Sequence, residues 1–112
     1  MRKLARQHCS ILSLVLKRKW YCMIESGKKL EEYRDDSAYW RKRINNWWIA
    51  GDGLKVVEFR LGYGKKAPRM WFTVNEVFSR AMALSHTWGE PDCRHFAIVL
   101  GSRVEVADAP EA

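Results

Sequence analysis

The sequence predicts an α+β domain: a small β-barrel of five to six strands with two or three short helices. Three observations lead there. The chain has 112 residues, enough for one domain. Its first half alternates short apolar runs with segments whose apolar residues fall at helical spacing. Its second half is a series of strand-like runs with no full-length helix between them. That order argues against parallel βαβ units and for a barrel-like sheet.

Residues 1–9 are polar and basic and read as a flexible arm; 10–106 form the domain, and 107–112 read as a tail. Ile11 to Leu16 is a strand of the mostly buried type. Trp20, Met23 and Ile24 then fall at helical spacing, and Gly27 suits a left-handed helix stop. Lys29 to Arg34 reads as a short strand. Asp35-Asp36-Ser37 supplies N-cap chemistry for a helix over Ala38–Trp48, with Trp40, Ile44 and Trp47 on one face. Gly51-Asp52-Gly53 is a turn, and Lys55–Leu61 and Met70–Phe78 are strands around the basic turn Gly62–Pro68. Ser79 to Asp92 is a connecting loop or short helix. His95–Leu100 is the last strand, which Val104-Glu105-Val106 extends.

The 20 lysines and arginines exceed the 13 acidic residues, giving a net charge of +7. Such a balance favours anionic partners, RNA or a nucleotide first, although a basic protein without that role has the same composition. Six tryptophans supply apolar area to a small core, or platforms on which bases stack. Cys9, Cys22 and Cys93 have no paired metal spacing, and His8, His86 and His95 form no ligand pattern with them. No metal or other cofactor is expected. Cys93 and His95 are read as structural or incidental residues rather than a nucleophile pair. Lys17-Arg18-Lys19 interrupts the only signal-like apolar stretch, and no run approaches transmembrane length. The expected location is cytoplasmic, with no membrane partner.

The chemistry concentrates in Gly27-x-Lys29-x-x-Glu32-x-Arg34. In an extended strand Glu32 and Arg34 share a face and Lys29 points to the other, unless the turn at Gly27 redirects it. Arg34 offers a planar fork for a phosphate or a base edge. Lys29 suits phosphate contact, or acid-base work if burial lowers its pKa. A solvated charge cluster is the plainer reading of the same residues.

This motif, with Tyr39-Trp40, Phe59-Arg60-x-Gly62-Tyr63-Gly64, Trp88-Gly89 and the HFAIVL strand, resembles the ASCH domain of the PUA-like superfamily, in its short stand-alone bacterial and prophage form. The resemblance implies a barrel-like fold with a cleft beside the motif, and binding of RNA or a modified nucleoside. Some members hydrolyse N4-acetylcytidine, and another branch carries ribonuclease activity. In the hydrolase branch a threonine stands where this chain has Glu32, and a later glutamate completes the site. Glu58, Glu76 and Glu90 are the later carboxylates available here.

The candidate ligand contacts are Lys29, Glu32, Arg34, Tyr39, Arg43, Arg60, Tyr63 and Lys65; Lys29 and Glu32 would be catalytic if the chain is an enzyme. Trp40, Trp47, Trp48 and Trp71 are assigned to packing. Trp88 is read as covering the barrel end or the cleft. Two alternatives stand beside RNA binding: hydrolysis of RNA or of an acylated nucleoside, and docking to another protein through tryptophans.

Overall fold

The computed structural model describes residues 1–83 and 85–107. Six strands form one curled half-barrel sheet with two helices against it, an α+β architecture as expected. The strands are β1 (Lys3–Leu4), β2 (Cys9–Val15), β3 (Glu31–Asp35), β4 (Leu54–Arg60), β5 (Arg69–Arg80) and β6 (His95–Val106). The helices are α1 (Arg18–Glu25) and α2 (Ala38–Ile44). Their order in the sheet is β1-β6-β5-β4-β2, with β3 also on β6.

β2 alternates along its length. Leu12, Leu14 and Leu16 point into the main core with Phe59, Met70, Phe72 and Ile98. Ile11 lies on the other face, in a small second cluster with Val56, Val104 and Val106. The sheet therefore has apolar residues on both sides, which is why β2 reads as a continuous apolar run. α1 buries Tyr21 and Ile24, and α2 buries Ile44. The Ser37 hydroxyl caps α2 by accepting from the Trp40 amide at 3.2 Å, the cap that the Asp-Asp-Ser run predicts.

Four expectations change. Residues 1–9 are no free arm. β1 pairs in parallel with β6, Glu105 N–H donates to Arg2 at 2.8 Å, and Ala107 N–H donates to Leu4 at 3.0 Å. Leu4 packs on the Val104–Val106 cluster, so one apolar residue in a basic run is enough to dock it. Parallel pairing also occurs at β2 and β4, in register from Cys9↔Leu54 to Val15↔Arg60. The crossover between them holds α1, β3 and α2, much more than one helix, so the pattern hides it. The second helix ends at Ile44 and continues as a π-helical turn, Asn45–Ile49. That turn brings the Trp47 indole N–H to the carbonyls of Ser10 and Val56, at 2.9 and 3.1 Å, where it ties the helix end to the β2–β4 pair. Finally, Ser79 and Arg80 belong to β5, and no described residue between β5 and β6 is helical. Of the expected tail only Ala107 lies among the described residues. No described helix is long and apolar enough to cross a membrane.

The docking of β1 can be measured. Deleting residues 1–4 removes two net hydrogen bonds and half a leucine burial, an expected loss of roughly 2–4 kcal/mol in urea denaturation. An unpaired arm would leave the midpoint where it was.

Candidate functional site

The half-barrel does not close. Among the described residues β2 pairs only with β4 and β3 only with β6, so each presents a free edge, and the two edges flank a cleft of about 430 Å³. Val15 and Leu16 line one side and Glu32 to Asp35 the other, with Trp20 and Trp40 as aromatic walls. Two guanidinium groups cap carbonyls on the β2 side: Arg34 donates to Val15 at 3.4 Å and Arg43 to Ser13 at 3.2 Å. They occupy donor positions that a neighbouring strand would fill.

The turn before β3 sets the site. Gly27 takes φ +82°. Its amide donates to the Ile24 carbonyl at 3.1 Å and the Lys28 amide donates to Met23 at 2.9 Å. These are the two bonds of a Schellman stop, which favours glycine at this point. The Lys29 amide also donates to Met23, at 3.0 Å. The chain therefore enters β3 only at Glu31, and strand alternation does not govern Lys29. Its ammonium lies on the same side as Glu32, not opposite.

Lys29 is 1% exposed and Glu32 4%. Lys29 Nζ donates to Glu32 Oε1 at 3.1 Å and to the Trp88 carbonyl at 2.7 Å. It also lies 4.4 Å from the centre of the Trp20 ring, a cation–π contact. Glu32 Oε1 accepts from the Tyr33 amide at 2.9 Å, and Oε2 faces Arg34 Nη1 at 3.4 Å. One buried carboxylate thus holds both cations. Arg34 in turn lies 5.2 Å from the Trp40 ring centre. The lining of the cleft is nearly balanced, with Lys17, Lys29 and Arg34 against Glu32 and Asp35.

The segment before β6 closes over Lys29. The Trp88 amide donates to Glu90 Oε1 at 2.9 Å, and Gly89 lies flat on Trp20. A Cβ on Gly89 would meet the Trp20 ring at 2.7 Å, and its φ is +79°, so glycine is required twice over. Of the three later carboxylates, Glu90 is the one whose charge acts on Lys29. Glu58 is buried elsewhere, accepting from Ser13 and Trp71 at 2.8 and 2.9 Å, and Glu76 is exposed on β5.

A second cleft of about 250 Å³ adjoins the first, sharing Val15, Arg34 and Trp40 with it. Tyr39, Arg43 and Tyr63 complete it with Ser13 and Leu14. The structure thus brings together Lys29, Glu32 and Arg34 in one cleft and Tyr39, Arg43 and Tyr63 in the next. It leaves Arg60 and Lys65 out of both: Arg60 turns back to the Gly64 carbonyl at 2.8 Å, and Lys65 is exposed on the hairpin. Trp40 is a wall of both clefts as well as a packing residue. Trp20 was hidden in the helical stripe of α1. It precedes Tyr21 by one residue and Ile24 by four, on the flank rather than the centre of the buried face. His95 is fully buried, its Nδ1–H donating to the Cys93 carbonyl at 2.7 Å, while Cys93 is exposed.

Fold and site together define a small α+β half-barrel domain with a polar, aromatic-walled cleft along its open seam. No family model matches the chain, no curated protein matches it, and no solved structure matches it.

Two consequences can be measured. Glu32→Gln leaves a buried ammonium without its charge partner, a loss of about 3–5 kcal/mol in urea denaturation. The Lys29→Met/Glu32→Gln pair recovers part of it. A loss below about 1 kcal/mol for Glu32→Gln would mark the pair as no stronger than a surface one. The second concerns pH. Burial pushes the Lys29 ammonium below its ordinary value of 10.5, against the pull of Glu32 and Glu90. Between the folded value and 10.5 the unfolded chain holds a proton that the folded chain has released, so stability rises with pH there. Tyr33 acts oppositely above its ordinary value of 10.0, because burial and its bond to Glu31 keep it protonated when folded. The Lys29 term is therefore read as a difference. In alkaline solution up to 10.5 the native protein gains stability relative to Lys29→Met, and parallel curves would contradict the shift.

Proposed function

We propose that this chain is an ASCH domain of the PUA-like superfamily that binds a nucleotide of RNA in the seam cleft. The observation that carries the reading is the convergence of Lys29, Glu32 and Arg34 between the rings of Trp20 and Trp40. Cations lie over both rings, so a base would stack on the guanidinium plane of Arg34 and meet the edges of the rings. Arg34 is fixed by Glu32 and by the carbonyls of Tyr33 and Val15, which leaves its remaining N–H groups for a base edge or a phosphate. The near-balanced lining suits a hydrogen-bonding base better than a polyphosphate, while the overall charge of +7 draws the polyanion in.

Electrophoretic titration with single-stranded and structured RNA at low salt tests this. Arg34→Ala weakens binding about tenfold to a hundredfold, the worth of a charged hydrogen bond. Arg34→Lys, which keeps the charge but loses the fork, fails to restore it. Unaltered binding in both variants, with a steep salt dependence, would reduce the interaction to bulk charge.

One observation favours a second reading. A buried lysine with a lowered pKa beside Glu32 and Glu90 has the makings of an acid-base group. An enzyme of this kind would hydrolyse the amide of N4-acetylcytidine, or cleave an RNA phosphodiester. Turnover of either substrate, lost in Lys29→Ala, would establish it. No turnover leaves the binding module.

A further inference from the structure

We propose that the second cleft is a subsite for the neighbouring nucleotide, so that the ligand is a single-stranded oligonucleotide of two or more nucleotides rather than a free nucleoside. The inference rests on the nucleotide-binding reading of the first cleft and extends it. The two clefts are neighbours that share Val15, Arg34 and Trp40 in their linings, and the second runs along the free edge of β2 to Ser13. Alternating cations and rings mark that line. The Trp40 ring has the Arg34 guanidinium 5.2 Å from its centre and the Arg43 guanidinium at 4.9 Å. Arg43 also lies 5.7 Å from the centre of Tyr39.

The charge changes between the clefts. The first mixes cations with Glu32 and Asp35, whereas no carboxylate among the described residues lines the second, which holds Arg34 and Arg43. A phosphate linking two nucleosides would meet Arg34, reachable from both sides, with Arg43 beyond it. Two large rings stand out into solvent at the far end, Tyr39 at 61% and Tyr63 at 87% exposure. Neither is needed to cover the core, and both present faces on which a base stacks. At about 250 Å³ the cleft is smaller than an independent small-molecule site, but adequate for part of a nucleotide held by its neighbour. Stacking needs a splayed base, which a single strand offers and a paired A-form helix does not.

The test is a length series. Oligocytidylates of one, two and four nucleotides are titrated against the native protein and a Tyr39→Ala/Tyr63→Ala variant at one low salt concentration, followed by tryptophan fluorescence. Both tyrosines are exposed, so the variant folds, and its net charge is that of the native chain. The native protein gains roughly fivefold to a hundredfold in affinity from one to two nucleotides, the worth of one stacked base. The double variant loses most of that gain. Equal affinity for one and two nucleotides, or the same gain in the variant, overturns the second subsite. Mononucleotide binding that still depends on Arg34 would then leave the first cleft standing. Failure of every oligomer to bind overturns both readings.

Discussion

An unclosed seam governs this molecule. A strand edge left open in a sheet exposes amides and carbonyls that must be paired, hydrated or covered. Here β2 and β3 do not meet, and side chains occupy the gap instead of a strand. Arg34 and Arg43 reach the carbonyls of β2, Ser10 and Trp47 exchange hydrogen bonds at its start, and Trp20 and Trp40 fill the width. Glu32 pairs with Arg34, and both guanidinium groups lie against the Trp40 ring. Closure of the sheet would stabilise the backbone and remove the cleft.

The Lys29–Glu32 pair has a similar logic. A buried ion pair is seldom the most stable filling for its space, since two desolvated charges recover little beyond what packed apolar side chains give. The pair instead fixes direction. Glu32 accepts from Lys29 and from the Tyr33 amide, and pairs with Arg34 through its other oxygen. Beneath it, the Tyr33 hydroxyl donates to Glu31 at 2.8 Å, and Glu31 pairs with Arg80 at 3.3 Å. Successive residues of β3, Glu31 and Glu32, thus carry ion pairs to opposite faces of the sheet, one to β5 and one into the cleft.

Much of this was legible because it is local. The glycine stop, the serine cap and the strand after the basic turn are encoded within a few residues, and so is the clustering of Lys29, Glu32 and Arg34. The orientation of Lys29 was not, because alternation applies only once the strand begins, and the chain is still in the helix stop at that residue. Non-local placement was hidden for the same reason. Nothing near Leu4 announces Val104 and Val106 across the chain, and nothing near Cys9 announces Leu54 as a parallel partner. Trp20 and Trp40 have helical spacing that suits a core. Only the missing strand pair leaves their rings facing a cleft, and no local pattern records a missing pair.

The bond from Lys29 to the Trp88 carbonyl has a kinetic side. The ammonium is almost wholly covered, and its donors go to Glu32 and to that carbonyl. Two of its three N–H groups are thus taken, and the Trp20 ring lies 4.4 Å from the nitrogen, so freeing the strap from Lys29 breaks a charge-assisted bond in a dry setting. β3, by contrast, is laddered to the long central β6 from Glu31 to Asp35. The floor of the cleft shares the opening free energy of the sheet, while its cover is held by a few contacts of the 85–92 segment. Floor and cover are therefore separable: β3 is tied into the sheet by its ladder to β6, whereas the strap rests on its bond to Lys29 and its contact with Trp20.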